Sequence, residues 1–171
     1  MELGTTYTVQ PEPPDPRCTV WIDAGSVRFG VESRHVDPEA LRESYRDDPE
    51  GWAEIEAASP EGGFSDDGVS LHVVDAASGH EYLRFDAFDE EPHYHYVADS
   101  GDRNQVIAFD ATANGDPLDW SLARLEARLA PMLVRAGAEG LVARLDDERV
   151  ADGLARVRAV AHEAAGRSQR P

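Results

Sequence analysis

Lysine is absent from this sequence. All 16 basic residues are arginine, set against 34 Asp and Glu, for a formal charge of −18. A field of that sign repels nucleic acid and anionic membrane surfaces, so neither is an expected partner. Salt adaptation or GC-rich coding accounts for an arginine-only basic set. The carboxylates are spread through every segment rather than gathered in rows. That spread favours a solvated acidic surface and leaves an acidic mimic or inhibitor of a basic protein as the weakest of three functional readings.

Cysteine is nearly absent too. The single Cys18 excludes an internal disulfide and a Cys-rich zinc site; at the head of an apolar strand it is expected to be a small core residue. No apolar run approaches the ~20 residues that cross a bilayer, and the N-terminus has neither a basic start nor an apolar signal segment. A cytoplasmic protein without membrane association is therefore expected. A Gly-rich phosphate loop and a nucleophile elbow are also lacking, so two common markers of catalysis are missing.

What remains is an ordinary globular composition, 41% hydrophobic and 29% charged over 171 residues, enough for one domain with a proper core. Residues 1–17 carry Pro11, Pro13, Pro14 and Pro16 and read as a Pro-rich tail or extended arm. A single α+β domain over 18–171 is expected to follow. Cys18/Val20/Ile22 and Val27/Phe29/Val31 alternate around a turn at Gly25, the pattern of a β-hairpin. Asp37-Pro38-Glu39 and Asp48-Pro49-Glu50 are helix starts, an N-cap followed by an N1 proline and an acid. They predict two short helices, with Leu41 and Tyr45 on the apolar stripe of the first and Trp52 and Ile55 on that of the second. The second ends at Ser59-Pro60. The loop Glu61 to Gly68, with Phe64 its only large apolar side chain, reads as a connector.

Four alternating segments follow, Val69–Val74, Glu81–Phe88, His93–Ala98 and Asn104–Asp110, joined by short loops that favour an antiparallel meander. Asp116-Pro117 opens a helix whose Leu118, Leu122, Leu125, Leu129 and Met132/Leu133 step by three and four, with Pro131 near its end. A last helix from about Asp147 to Ala165 buries Val150, Leu154, Val157, Ala161 and Ala164. The predicted fold is α+β: an antiparallel sheet of about six strands, the N-terminal hairpin plus the meander, with helices on one face and two helices at the C-terminus.

Register decides which side chains meet. Leu71 opposite Leu83 and Val69 opposite Phe85 pair the hydrophobes. A direct turn at Asp89–Pro92 places Phe88 opposite His93 and Asp86 opposite His95. One face then carries Leu71, Leu83, Phe85, Tyr94, Tyr96, Ile107 and Phe109 as a floor for helices. The other collects Ser70, His72, Tyr82, Arg84, Asp86, Phe88, His93 and His95. His93-x-His95 aims two imidazoles the same way, and with Asp86 and His72 they are the candidate ligands of a divalent transition metal (Zn, Fe, Mn or Ni), with Asp99 an outside option. Metal-free acid/base chemistry is the other catalytic arrangement, with Asp86 orienting His95 and Arg84 binding an anion. Tyr82, Arg84 and Phe88 are the ligand-binding candidates. His35, His80 and His162 are expected to be exposed.

These patterns assign no reaction. The first functional reading is a binding or accessory domain that self-associates or docks a protein partner through an open His/Tyr-rich sheet face, since such a face is unusual on a monomer. The second is a metal-dependent enzyme, hydrolytic or oxygen-handling, built on the His-x-His pair.

Overall fold

The computed structural model describes residues 3–59 and 63–168. The predicted stop at Ser59-Pro60 and the loop from Glu61 fall partly on residues 60–62, outside the described residues. Each Asp-Pro pair starts a helix by the same local chemistry. The Asp37 carboxylate accepts the N–H groups of Glu39 and Ala40 at the head of α1 (Pro38–Ser44). Asp48 accepts that of Gly51 in α2 (Pro49–Ala58). Asp116 accepts that of Asp119 in α4 (Pro117–Arg135), which runs on through Pro131. Two one-turn helices, α3 (Ala111–Asn114) and α5 (Glu139–Val142), are too short to show a period in the sequence. The last helix, α6, is Asp147–Ser168.

The sheet is antiparallel and has seven strands, one more than expected. β2 (Thr19–Ala24) and β3 (Val27–Val36) form the hairpin, and Gly25, at φ 80°, takes the left-handed position its turn requires. β4 (Asp66–Asp75), β5 (Glu81–Phe88), β6 (His93–Val97) and β7 (Asn104–Ala108) form the meander. The additional strand is β1 (Thr5–Tyr7), which pairs with β7, so the order is β1-β7-β6-β5-β4-β3-β2. Three residues without apolar alternation gave no strand signal; pairing with the β7 edge makes them one.

Register differs from expectation by two residues in both central pairs. Leu71 faces Phe85 and Val73 faces Leu83; Asp86 faces His93 and Arg84 faces His95. A shift of two keeps every side chain on its face, so the partition survives with one exception. A bulge where Val74 pairs with Glu81 turns Tyr82 to the helix side and puts Glu81 in the place expected for Tyr82.

On the helix side, Leu71, Val73, Leu83 and Phe85 pack against Leu122, Leu125 and Leu133 of α4 and Val157 and Ala161 of α6. Two single-residue expectations are corrected. Cys18 is exposed, because burial along the edge strand β2 begins only at Ile22. His80 is half-buried, its ring edge-on to Tyr82 at 4.5 Å.

The other side of the sheet is covered as well, which removes the premise of an open face. The N-terminal arm lies across it: Arg84 Nη2 donates to the Glu12 carbonyl at 2.6 Å, and the Glu12 carboxylate meets Arg34 and Ser44. Helices α1 and α2 hold the arm in turn. Tyr45 donates its hydroxyl to the Gln10 carbonyl, and the Glu54 carboxylate accepts the N–H groups of Thr8 and Val9. Between this cover and the sheet lies a cavity of about 670 Å³. Among the described residues no helix is long and apolar enough to cross a membrane.

Candidate metal centre

Cross-strand pairing sets two rows of side chains under the arm. One runs Glu32, Ser70, Asp86, His93 and the next Gly30, His72, Arg84, His95, Val106. Gly30 is required beside His72, because a Cβ there would come within 2.9 Å of Trp21 and 3.1 Å of His72. Directly opposed and diagonal positions in such rows bring side chains into contact.

His72, expected among the metal ligands, is occupied elsewhere. Its Nδ1 lies 2.5 Å from Glu81 Oε1 and its Nε2 lies 3.0 Å from Glu32 Oε2. Burial alone would lower its pKa, but the two carboxylates outweigh that and raise it, so the imidazolium donates to both. Arg84 closes this network with a fork onto Glu81, at 3.2 Å from Nε and 2.7 Å from Nη2. Against its own burial, Arg84 and His72 hold the Glu81 carboxyl at about 2. Tyr82 stands apart, donating its hydroxyl to Asp99, and burial together with that carboxylate pushes it up to about 12. Asp99 is thereby committed to Tyr82 and Tyr82 is removed from the ligand-binding set.

Asp86, His93 and His95 do come together. Asp86 Oδ2 lies 3.2 Å from His93 Nε2 and 3.0 Å from His95 Nε2, and the three ligand atoms all fall within 4.8 Å of one another. Each side chain is aimed from behind. Ser70 donates to Asp86 Oδ1, leaving Oδ2 for the imidazoles. His93 Nδ1 donates to the Glu91 carbonyl at 2.7 Å. The turn carrying that carbonyl is pinned by the buried Asp66 carboxylate, which accepts the N–H groups of Glu90 and Glu91. His95 Nδ1 donates to Asn104 Oδ1 at 2.8 Å, and Asn104 is oriented by its own Nδ2 donating to the Val9 carbonyl at 3.3 Å.

These rear contacts fix the proton of each neutral imidazole on Nδ1 and leave lone pairs on both Nε2 atoms, facing a carboxylate oxygen. Burial alone would raise Asp86, but hydrogen bonds to the two histidines hold it well below the usual carboxylate range. Burial would lower His93, yet Asp86 raises it; His95 is lowered, chiefly by burial. The two Nε2 atoms thus converge on one carboxylate oxygen, at 3.2 Å from His93 and 3.0 Å from His95.

Phe88 packs edge-on against His93 at 5.7 Å and, like Arg84, lies at the cavity wall. Phe64 also lines it, 6.4 Å from Phe88, so the connector loop contributes to the pocket wall. The supporting residues Glu32, Asp66, Glu81 and Asn104 were not legible as site residues. Glu32 was within reach of the signal, since Val27, Phe29 and Val31 alternate with it on β3.

Residues 21–161 match the family model described as Domain of unknown function (DUF7700), and the chain belongs to that family. No curated protein and no solved structure matches it. The matched stretch contains Ser70, Asp86, His93, His95 and Asn104; the covering arm lies outside it.

Proposed function

We propose that this DUF7700 member is a metal-dependent enzyme whose centre is Asp86, His93 and His95 and whose small-molecule substrate occupies the adjoining cavity. One observation carries the reading: two imidazoles with Nδ1 committed to fixed oxygens turn their Nε2 lone pairs onto one carboxylate oxygen. Acceptors brought together under burial call for a cation between them. Separations of 3.0 and 3.2 Å suit ligand atoms that each lie about 2.0–2.2 Å from one ion. Three protein ligands with open positions towards a cavity are the arrangement of a catalytic site rather than a structural one, and a His₂-carboxylate set accepts zinc or iron(II). Hydrolytic and oxygen-handling chemistry both suit such a centre.

The test is metal content of tag-free protein, measured by mass spectrometry, with melting temperature followed on adding zinc, iron(II), manganese and nickel. One equivalent of metal per chain is expected. A stabilisation of about 2.7 kcal/mol should accompany free metal at a hundred times Kd, with both lost in His95→Ala and Asp86→Asn. Protein that binds none of the four ions, and does not shift with any, ends the metal reading. The second reading is metal-free acid/base chemistry by the Asp86–His93 pair, favoured by the raised His93; it survives that outcome. Self-association through the sheet face has less support, because that face is covered and, among the described residues, the large exposed apolar side chains, Leu3, Val20 and Val134, lie on three separate segments.

A further inference from the structure

We infer that the cavity takes a monocarboxylate with an apolar tail, the carboxylate held between the metal and Arg84; this rests on the metal reading. Arg84 is almost fully buried and lines the cavity. Its Nε and Nη2 are committed to Glu81 and the Glu12 carbonyl. Nη1 has no partner among the described residues, and it is not among the polar atoms sealed away without one. The free donors of a fixed guanidinium are thus the part of Arg84 left for the cavity. Arg84 stands directly opposite His95 in the sheet, so these donors lie one side chain away from the metal ligands.

Charge points the same way. Two neutral imidazoles and one carboxylate around a dication leave one positive charge, which a single anionic ligand neutralises. A carboxylate offers one oxygen to the metal and one to the Arg84 Nη1 donors, as a charge-assisted acceptor. Leu41, Ile55, Phe64 and Phe88 give the cavity apolar wall beside the charged Arg34 and Glu90. A cavity of about 670 Å³ is of the size that encloses small organic ligands. An uncharged apolar ligand would leave the Arg84 donors unpaired, and a small anion such as acetate would leave the walls wet.

The test compares hexanoate, hexanamide and acetate by calorimetry on zinc-loaded and metal-free protein, with bound zinc measured independently. Hexanoate should bind zinc-loaded protein at least about tenfold tighter than either comparator. Arg84→Lys should lose about tenfold in hexanoate affinity while keeping its zinc. Should that variant fail to fold, Ile55→Trp, which fills the cavity at its apolar wall from a half-buried position, should weaken hexanoate and leave acetate unchanged. Zinc bound with hexanamide equal to hexanoate overturns this inference alone. No zinc bound but an Arg84-dependent preference for hexanoate overturns the metal reading and supports the carboxylate. Neither zinc nor any preference overturns both.

Discussion

The two faces of the central strands are equally buried and are held by opposite means. Leu71, Val73, Leu83 and Phe85 alternate along β4 and β5 with Ser70, His72, Arg84 and Asp86, and all eight are at most 3% exposed. On the helix side burial alone is favourable, and it needs no particular partner. On the arm side each buried polar group must find its complement. His72 does so fully, between Glu32 and Glu81, and Arg84 does so through Nε and Nη2, on Glu81 and the Glu12 carbonyl. Asp86 and His95 do not while the ring is neutral, since its one proton sits on Nδ1 towards Asn104 and the Nε2 lone pair then faces Asp86 Oδ2 at 3.0 Å. The contrast within one face separates scaffold from site more sharply than burial does.

The largest effects should come from breaking either face at its centre, and recovery should tell them apart. Phe85→Ala leaves a cavity under α4 and should cost about 3–5 kcal/mol in urea unfolding. Arg84→Met removes the fork from Glu81, leaves the buried network one positive charge short, with His72 alone on that carboxylate, and should cost a similar ~3–5 kcal/mol. Adding Glu81→Gln to Arg84→Met should restore part of that loss, because a buried pair can be exchanged for neutral groups together. No partner change on the helix side should rescue Phe85→Ala. Equal recovery, or none in either case, would erase the distinction between the faces.

The arm side alone should respond to mild alkali. The pKa of His72 is raised in the folded protein, with Glu32 and Glu81 facing it from β3 and β5 and Arg84 nearby opposing them. A raised folded pKa contributes stability that is fully present below the ordinary histidine value of about 6.5 and is lost as pH rises through the folded value. Wild-type protein should therefore lose stability relative to His72→Gln as pH rises above about 6.5. Parallel stability curves for the two proteins above that pH would mean that His72 does not hold its proton between the carboxylates.

Local chemistry and strand period made much of this legible in the sequence; distance did not. Asp37, Asp48 and Asp116 act within three residues, so each helix start could be read directly. The face partition survived a register shift because the shift was two residues, an even number. Glu81 was exchanged for Tyr82 because the bulge opposite Val73 and Val74 has no marker in the alternation. The covering of the polar face was hidden for another reason. Its contacts join Thr8 to Glu54, Gln10 to Tyr45 and Glu12 to Arg34, far apart in the chain and carried by no period. His93, His95 and Asp86 were visible as residue types on one face, whereas Asn104, which fixes a tautomer, becomes a site residue only once β6 and β7 pair.

That tautomer offers a smaller, sharper comparison within the site. Asn104→Ala removes the acceptor from His95 Nδ1 and the contact to the Val9 carbonyl. Removing such a supporting partner should weaken metal binding by about 10–100-fold. Ser121→Ala, whose hydroxyl donates to the Pro117 carbonyl on the helix side, should leave metal affinity unchanged. Competition with a chromophoric chelator reads both. Equal affinity in the two variants would show that the His95 ring needs no orientation from behind.

The smallest effect should separate the cover from the sheet beneath it. Asp48 caps α2 through the Gly51 N–H, and α2 reaches the rest of the protein largely by holding the arm through Glu54. Asp48→Ala should cost about 0.5–2 kcal/mol of helix stability. Because α1, α2 and the arm lie only over the polar face, that loss should stay local. Hydrogen exchange should quicken at the amides of 49–58 and at Thr8 and Val9, while α4, capped by its own Asp116, keeps its protection. Metal affinity, whose ligands all lie on β5 and β6, should fall less than in Asn104→Ala, while hexanoate, which borders on Ile55, should bind less tightly. Uniform loss of protection through α4 would instead mean that the cover and the core unfold as one unit, and that the arm is part of the fold's foundation and not a cover over its site.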